Sequence, residues 1–413
     1  MTEEVLINVT PHQSRIAMVE NGILQEIIIE PTKHQGLVGN IYKGRVSRLL
    51  PGMQAAFIDI GLERSAFLHF SDLVTDTSKS LHIGETILVQ VIKEPLGTKG
   101  ARLTSRISIP SCYTVFLPYS SNMIGVSSRI ESESERNRLK EIVLKKIELG
   151  LGEQNYGFII RTGAKGATEP KLWADMEFLS SLWRQIKEKE IYAAPSSLIY
   201  ANLSIVLRSI RDLIGNSVDK IKIDSAETCE ELSNFAKKFM PNLLPRIEYY
   251  TDNSPIFELY NIEEEINKAL ERKVPLKSGG YLVIEQTEAM TTIDINTGAY
   301  VGGYNLEDTI FKTNLEAAEV IARQLRLRNL GGIIIIDFID MVEPEHKAQV
   351  LDSLEKSLAR DSSKSTVSGF SSLGLVEMTR KRTRESLEHI LCETCPSCAG
   401  RGSIKNTNKW RQN

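Results

Sequence analysis

Residues 291–300 read TTIDINTGAY, and residues 331–340 read GGIIIIDFID. Both stretches have the apolar runs of β-strands, yet each contains an acid, Asp294 in the first and Asp337 in the second. Strands seldom contain aspartate, and a carboxylate without a partner is costly in apolar surroundings. The two stretches therefore raise the question of what holds these acids in place.

Strand alternation predicts where the two acids point. In the first stretch it places the isoleucines on one face of the strand and Asp294 and Asn296 on the other. Asp337 follows four isoleucines and ends its own strand, and a helix is predicted between the two strands over residues 306–328. Functional sites of α/β sheets gather at the carboxyl ends of strands, so both acids are expected at one sheet edge.

Two interpretations of this acidic pair remain open from the spacing alone. Carboxylates that converge repel each other unless a cation or a proton lies between them, and Mg²⁺ is commonly held by one or two carboxylates plus a substrate phosphate. A metal so held activates water against a phosphodiester. In the alternative, each acid caps a loop or pairs with an arginine, for which the intervening helix offers Arg323, Arg326 and Arg328.

Composition and motifs narrow the class of protein. The chain has 413 residues, enough for several domains, and its 41% hydrophobic and 25% charged residues are ordinary for a soluble globular protein. Its net charge of −3 means that a nucleic-acid surface must be a local patch. Motifs for nucleotide hydrolysis, dinucleotide binding and serine hydrolysis are absent from the sequence.

The acidic start and the lack of a membrane-length apolar run predict a cytoplasmic protein.

Short β runs with turn signals over residues 36–105 predict a small barrel of the oligonucleotide-binding type. Alternation places Phe57 and Phe67 beside polar neighbours, which is unusual for core residues. Beside the basic residues Lys43, Arg45, Lys93 and Lys99, exposed rings would form a stacking platform for single-stranded nucleic acid, worth about 1–3 kcal/mol per base. The alternative is that both rings cover one end of the barrel.

The carboxyl-terminal part of the chain is rich in cysteine. Three of the five cysteines, Cys392, Cys395 and Cys398, fall within seven residues. Without an export signal they are expected to bind metal rather than to form disulfides, and CPSCAGRG has the form of a zinc knuckle. A structural zinc takes four ligands, so the missing ones are predicted to come from a second copy of the chain, in a zinc-bridged homodimer. A reduced, metal-free tail and a redox-active pair are the alternatives.

Together these pieces resemble the bacterial ribonuclease E/G family, and within it the ribonuclease G branch. The resemblance runs from about residue 5 to residue 404. It is carried by NIYKGRV, LPGMQAAFIDIG, EPLGTKGARLT, RIESESER, GGYLVIEQTEAMTTIDINTG, IARQLRLRNLGGIIIIDFIDM, GLVEMTRKRTRESLEH and CPSCAGRG. It implies a Mg²⁺-dependent, single-strand-specific endoribonuclease of ribosomal RNA (16S 5′-end) maturation and messenger RNA decay. Such an enzyme leaves a 5′-phosphate and a 3′-hydroxyl and prefers 5′-monophosphorylated RNA.

The resemblance also implies a multidomain fold of mixed α+β and α/β character. A ribonuclease-H-like subdomain is split around an inserted S1 (OB-type) β-barrel and a 5′-sensor region, and a DNase-I-like catalytic subdomain and a zinc link follow. The implied bounds are 1–35 with 206–270 for the split subdomain, 36–105 for the barrel, 106–205 for the sensor, 271–390 for the catalytic subdomain and 391–413 for the zinc link and tail.

The resemblance assigns roles to individual residues. Asp294 and Asp337 hold the catalytic Mg²⁺, Asn296 orients the scissile phosphate, and Cys395 and Cys398 form the zinc pair. Four barrel residues contact RNA: Phe57, Phe67, Lys93 and Lys99.

The implied pocket for a 5′-monophosphate contains Arg161 and Thr162, with Val115 packed near it. Two positions depart from the ribonuclease E pattern: Ser111 stands where a glycine lines the sensor, and Lys364 stands where an arginine helps to contact the phosphate. Lysine keeps the positive charge but loses the bidentate fork of arginine, so recognition of the 5′ end is expected to differ quantitatively.

Two other functions fit parts of the sequence. The chain could be a non-catalytic S1-type RNA-binding protein whose carboxylates are structural, or a DNA nuclease, which the catalytic subdomain alone would allow. The combination of Asp294, Asn296 and Asp337 disfavours the first of these alternatives.

Overall fold

The structure is a computed structural model that describes residues 2–31, 36–74, 81–95, 100–121, 123–150, 156–213, 218–298, 306–361, 363–382 and 384–404. Its described strands form four sheets.

The chain begins with an antiparallel meander of three strands, β1 (Glu3–Val9), β2 (Gln13–Glu20) and β3 (Ile23–Pro31). The turn between β2 and β3 contains Asn21 and Gly22, at φ angles of 50° and 79°. The type I′ hairpin turn, whose twist matches that of the strands, requires positive φ at both central residues, which Asn-Gly tolerates best. The hairpin is therefore dictated by these two residues.

A closed barrel follows the meander. Its strands are β4 (Ile41–Leu50), β5 (Ala55–Asp59), β6 (Ala66–His69), β7 (Thr86–Lys93) and β8 (Arg102–Thr104). They pair in the order β4-β5-β6-β8-β7, and β7 pairs again with β4 to close the barrel. At Gly44 a Cβ atom would lie 2.4 Å from Ile58 in the barrel core, so only glycine fits there. A five-stranded barrel is the form expected of an S1-type domain.

The third unit is a small sheet covered by two long helices. Its strands are β9 (Ile109–Pro110), β10 (Thr114–Leu117), β11 (Ile124–Val126) and β12 (Gly157–Ile160), and its helices are α1 (Glu133–Glu148) and α2 (Glu169–Tyr192). The sheet order is β11-β12-β10-β9. Phe116 and Phe158 of the sheet and Trp183 of α2 are among the buried residues of the shared core.

This unit is joined to the barrel at the end of α2. Lys43 of β4 donates its ammonium hydrogens to the carbonyl oxygens of Glu190, at 2.9 Å, and Ala193, at 3.0 Å. These carbonyls belong to the carboxyl end of the helix, where cations are stabilising. The strand β13 (Ser197–Tyr200) then pairs with β4 and extends the barrel sheet.

The chain next returns to the first sheet. The elements of this segment are α3 (Ile205–Leu213), β14 (Lys220–Ile223), α4 (Ala226–Phe239), β15 (Ile247–Tyr249), α5 (Ile256–Leu259) and α6 (Ile262–Leu270). β14 pairs in parallel with β1, and β15 in parallel with β14, which gives the order β15-β14-β1-β2-β3. Two distant parts of the chain thus share one sheet, as a split subdomain implies; its ribonuclease-H-like assignment stays a prediction.

The last sheet contains the strands of Asp294 and Asp337. Its elements are β16 (Lys273–Pro275), β17 (Tyr281–Gln286), β18 (Met290–Asn296), α7 (Leu306–Leu327), β19 (Gly332–Asp337), α8 (Pro344–Leu358), β20 (Ser365–Phe370), β21 (Val376–Arg380) and α9 (Leu387–Leu391). The order is β16-β17-β18-β19-β21-β20, with β18 and β19 parallel and every other pair antiparallel. Across the described ranges, no helix is both long and apolar enough to cross a membrane.

One face of this last sheet packs on helices, and the opposite face carries the acids. Ile293, Ile295, Ile334 and Ile336 are all buried in a core that they share with α7 and α8. Each fully buried isoleucine contributes about 1.5–3 kcal/mol relative to an exposed one. Register is strongly specified when one face is buried, because a slip by one residue would exchange the two faces.

A buried ion pair fixes the far end of this sheet. Arg380 of β21 donates to the carboxylate of Asp361 from Nε at 2.6 Å and to the carbonyl oxygen of Leu330 from Nη1 at 2.8 Å. Arg380 and Asp361 are only 4% and 5% exposed. The backbone carbonyl of Asp361 also accepts from Arg129 Nη2 at 3.2 Å, which links the third unit to the last sheet. We call the third unit the sensor unit, after the 5′-sensor region that the family resemblance implies for residues 106–205.

Replacing one partner of this ion pair should destabilise the protein strongly. We expect Arg380→Met to lower the free energy of unfolding by about 3–5 kcal/mol, because it leaves the Asp361 carboxylate buried without its partner. Lys356→Met is the matched control, since its partner Asp352 is 60% exposed and Lys356 itself is 75% exposed; exposed pairs contribute at most about 1 kcal/mol. Urea denaturation measures both changes, and equal losses in the two variants would contradict this assignment.

Candidate active site

The two aspartates lie side by side at the end of adjacent parallel strands. Asp294 of β18 and Asp337 of β19 are direct register partners, and both are exposed. Neighbouring strands are about 4.8 Å apart, so the two carboxylates reach the same volume of solvent. Asn296 lies on the same face of β18 and donates from Nδ2 to Asp294 Oδ2 at 2.8 Å. The three residues singled out in the sequence are thus brought together.

The charge of this pair is not neutralised within the site. Burial and then the charges of Asp294 and Asp340 raise the pKa of the Asp337 carboxyl above its ordinary value. A raised pKa means that the ionised form is disfavoured by its surroundings. A bound cation would relieve this repulsion.

Arg323 and Arg326 of α7, and Arg328 directly after it, do not supply that cation. Arg323, Arg326 and Arg328 were the alternative partners for the two acids, but their guanidinium groups bind elsewhere. Their acceptors are the carbonyl oxygen of Leu24 for Arg323, the side chain of Gln25 for Arg326, and the side chain of Gln324 with the carbonyl oxygen of Glu271 for Arg328. These contacts attach α7 to the first sheet and to neighbouring loops, so the arginine-pairing interpretation is wrong.

A buried asparagine fixes the segment that follows Asp337. Asn314 of α7 is fully buried, donates from Nδ2 to the carbonyl oxygen of Ile339 at 2.8 Å, and accepts from the Ile339 N–H at 3.2 Å. Two turns earlier in α7, the Glu307 carboxylate accepts the N–H of Val342 at 3.0 Å. Sequence reasoning missed Asn314, although a polar residue on the apolar face of a predicted helix is a signal for such a clamp.

The donor set of the site fits Mg²⁺. Across the ranges that the structure describes, no group of three or more His, Cys, Asp or Glu side chains is placed to hold a metal ion. A cation at Asp294 and Asp337 would therefore take two carboxylates from the protein and its other ligands from water or substrate. Mg²⁺ accepts this arrangement, because it keeps several waters and binds through one or two carboxylates.

The two barrel aromatics lie next to each other on the outer face. Phe57 of β5 and Phe67 of β6 are register partners, their ring centroids are 6.2 Å apart, and their planes meet at 72°. Their strand neighbours Ile58 and Leu68 are fully buried in the barrel core, whereas the two rings are only partly buried. This placement favours a stacking platform over a purely internal role.

The same row of the barrel carries two further cations. Arg48 of β4 is the register partner of Phe57, and Arg102 of β8 is the register partner of both Phe67 and Lys93. Arg48 and Lys93 are exposed, and Arg102 donates to Asp72 at 3.0 Å. We call these five residues the barrel row. Sequence reasoning missed the two arginines because the register between strands cannot be seen within one strand; Lys99 lies outside the described residues.

Arg161 and Ser111 meet directly in the sensor unit. Arg161 Nη1 donates to the backbone carbonyl oxygen of Ser111 at 2.5 Å. The next residue, Thr162, shares a hydrogen bond of 3.0 Å with the hydroxyl of Ser127. Val115 of β10 is the register partner of Ile159, two positions before Arg161. Four predicted pocket residues therefore lie on adjacent segments of one unit.

The hydroxyl of Ser111 is used by a buried acid. Ser111 Oγ donates to Asp175 Oδ1 at 2.6 Å, and the Thr114 N–H donates to Asp175 Oδ2 at 3.0 Å. Burial raises the pKa of Asp175, and the hydrogen bonds from Ser111 and Thr114 oppose that rise. A buried carboxylate needs such donors. The serine thus fixes the backbone whose carbonyl oxygen holds Arg161.

Lys364, the remaining predicted sensor residue, lies on a different unit. It is exposed just before β20, and its carbonyl oxygen accepts from the Lys381 N–H at 2.9 Å. It is three positions after Asp361, whose carbonyl oxygen accepts from Arg129 of the sensor unit. The structure thus brings the segment of Lys364 to the border of the sensor unit, without a direct contact between Lys364 and Arg161 among the described hydrogen bonds.

The cysteine pair has the local features of a metal-binding knuckle. Backbone N–H groups of Cys398 and Ser397 lower the pKa of the Cys395 thiol, and the Gly402 N–H approaches Cys398 Sγ at 3.4 Å. Donors aimed at sulfur favour the thiolate, which is the form that binds zinc. Cys395 is exposed, as is Cys392, which caps the end of α9. The residues present therefore fit a zinc ion that needs further ligands.

Comparison with known proteins identifies the family. Residues 108–383 match the model of the Ribonuclease E/G family, and residues 37–106 match the S1 RNA binding domain. Ribonuclease G of Escherichia coli is 54% identical over 421 residues, which cover 98% of this chain and 85% of that protein. Ribonuclease G of Haemophilus influenzae is 54% identical over 419 residues, covering 97% and 84%. Ribonuclease E of Escherichia coli is 36% identical over 419 residues, covering 98% and 39%. The chain therefore belongs to the ribonuclease E/G family.

Proposed function

We propose that this protein is a Mg²⁺-dependent endoribonuclease that cleaves single-stranded RNA. The observation that carries the proposal is the register pairing of Asp294 with Asp337 on parallel strands, with no protein cation bound to either acid among the described contacts. The names of the relatives, ribonuclease G and ribonuclease E, support the same class of activity. The products would be a 5′-phosphate and a 3′-hydroxyl.

Asp294, Asp337 and Asn296 would have different roles in hydrolysis. Asp294 and Asp337 would hold the cation, and the amide of Asn296, which donates to the Asp294 carboxylate, would orient the scissile phosphate. When bound, Mg²⁺ supplies positive charge for the phosphate and lowers the pKa of a bound water. The buried isoleucines on the opposite face hold both strands, so the acids keep their separation during the reaction.

The barrel row would bind the single strand. Followed around the curved surface of the closed barrel, the five adjacent strand positions cover a path of roughly 19 Å at about 4.8 Å per strand. Two aromatic rings at the middle of the row offer stacking faces to bases, and Arg48 and Lys93 at its ends offer charge to phosphates. Stacking is tolerant of sequence, because every base has a π-face. Lys99 is included in this proposal on the family resemblance alone.

The sensor unit would bind the 5′-monophosphate of the RNA. Arg161 and Thr162 are adjacent and partly exposed, and arginine with a hydroxyl is a suitable donor set for phosphate. We propose ribosomal RNA precursors and messenger RNA as substrates. Ser111 and Lys364 would set the strength of the 5′-end preference.

The proposed assembly is a homodimer. Each copy would contribute Cys395 and Cys398 to one Zn²⁺ ion, which completes the four ligands of a structural site.

Removing either carboxylate should abolish cleavage. We expect Asp294→Asn and Asp337→Asn each to lower kcat/KM by ~100-fold or more, because each loses a charged ligand of the cation. Asp352→Asn on the exposed face of α8 is the control of equal charge change. The assay uses matched single-stranded RNA and DNA oligonucleotides in Mg²⁺ and in EDTA. Full RNA cleavage by either variant, or cleavage in EDTA, would refute the assignment, and equal cleavage of DNA would replace it by a general nuclease.

The barrel row predicts a particular dependence of RNA affinity on salt. Arg48→Ala should reduce the slope of log affinity against log salt by about 0.7, the value for one phosphate contact on a single strand. Lys268→Ala is the control of equal charge change, since Lys268 of α6 lies outside the barrel and is exposed in an ion pair with Glu264. Fluorescence anisotropy with an RNA oligonucleotide measures both slopes. Equal slopes for Arg48→Ala and the unmodified protein would remove Arg48 from the RNA surface.

The zinc bridge predicts that metal content and mass change together. Cys395→Ser should lower the bound zinc and convert dimers to monomers, because serine does not replace a thiolate ligand. Cys229→Ser, a cysteine of α4 far from the knuckle in sequence, is the control. Metal analysis with light scattering checks both properties. A zinc-free variant that stays dimeric would show that the dimer does not depend on the metal.

A further inference from the structure

The guanidinium of Arg161 is shared with an acid from another unit. Arg161 Nη2 donates to Asp212 Oδ1 at 2.7 Å, and Asp212 lies near the end of α3, 51 residues later in the chain. The side chain of Asp212 is 37% exposed and that of Arg161 is 23% exposed. The acid therefore stands at the surface beside the side chain that would bind a 5′-phosphate.

Asp212 has a second arginine behind it. Arg211 donates to both carboxylate oxygens of Asp212, from Nε at 2.7 Å and from Nη2 at 2.8 Å, and from Nη1 to the carbonyl oxygen of Pro110 at 2.8 Å. The Arg211 side chain is only 4% exposed. Burial raises the pKa of Asp212, but the hydrogen bonds and charges of Arg211 and Arg161 outweigh it, and the pKa lies below its ordinary value. The acid is thus ionised at neutral pH.

The charges of Arg161, Arg211 and Asp212 do not cancel. Two guanidiniums and one carboxylate sum to a single positive charge, and the buried cation lies behind the acid while Arg161 shares its exposed side. An anion that approaches Arg161 from solvent therefore also meets the negative charge of Asp212.

We propose that Asp212 determines which 5′ end the protein accepts, by favouring an anion of low charge such as a monophosphate over a triphosphate. The inference rests on the proposed binding of a 5′-phosphate at Arg161. A terminal monophosphate carries a charge of about −1.5 to −2 at neutral pH, and a triphosphate extends the chain of negative charges further. Like charges that are not screened by a cation repel, and the repulsion is strongest where the site is partly shielded from water.

A purely structural role predicts a different result for loss of the acid. If Asp212 only held Arg161 and Arg211, its loss would weaken cleavage of all RNAs by the same factor. If it sets selectivity, loss of its charge should help the triphosphate more than the monophosphate and leave RNA without a 5′-phosphate unaffected. The ratio between substrates within one variant therefore separates the two roles.

The experiment measures kcat/KM for one RNA sequence with a 5′-hydroxyl, a 5′-monophosphate or a 5′-triphosphate, using the full chain with Mg²⁺. We expect Asp212→Asn to raise the ratio of triphosphate to monophosphate cleavage by roughly three- to tenfold, the order of effect that one unit charge has in a partly screened site. Asp212→Glu, which keeps the charge, should retain the original ratio.

Asp352→Asn controls for the change in net charge, and circular dichroism checks folding. Asp212→Ser, which keeps an acceptor without charge, is the second neutral variant if Asp212→Asn fails to fold.

The outcomes separate this inference from the function on which it rests. If the unmodified protein does not distinguish the monophosphate from the hydroxyl, the 5′-phosphate pocket is refuted and this inference falls with it. If it does distinguish them but the neutral variants leave the triphosphate ratio unchanged, or weaken all three substrates equally, only the role of Asp212 is overturned.

Discussion

The parallel pairing of β18 with β19 is the constraint on which the rest of this structure depends. It places Asp294 directly beside Asp337, so that two like charges must share one sheet edge. That arrangement is unfavourable by itself, and burial, followed by the charges of Asp294 and Asp340, raises the pKa of the Asp337 carboxyl. The sheet tolerates the repulsion because its opposite face buries isoleucines against α7 and α8. The hydrophobic core therefore holds two carboxyl groups side by side at one sheet edge.

Two other acids, Asp361 and Asp212, have their charges compensated by arginines. Asp361 is buried and fully engaged by Arg380, so its charge is compensated within the fold. Asp212 is partly exposed and lies between two arginines, one buried and one at the surface. The degree of compensation thus differs at each acid: Asp361 is paired with a buried arginine, whereas among the described contacts Asp294 and Asp337 bind no cationic side chain. Perturbed and uncompensated groups in accessible positions are typical of functional sites.

Long cationic side chains join the units to one another. Lys43 connects the barrel to the end of α2, Arg129 connects the sensor unit to the segment after α8, and Arg323 connects α7 to the first sheet. Each of them donates to a backbone carbonyl oxygen, an acceptor that does not depend on the side chain at that position. Basic residues near a functional surface can therefore connect structural units instead of binding RNA. Net charge alone does not distinguish these two roles.

The sequence by itself determined what depends on neighbouring residues. Alternation set the shared face of Asp294 and Asn296, Asn21-Gly22 set the hairpin between β2 and β3, and short β runs predicted the barrel, because these features follow from local backbone geometry. The tertiary structure decided what depends on partners far along the chain. Arg323 and Arg326 of α7 bind the first sheet rather than the acids, Arg48 joins the barrel row through strand register, and Asp212 reaches Arg161 from another unit. Pairings of this kind are fixed by how whole sheets and helices pack, and no local pattern records them.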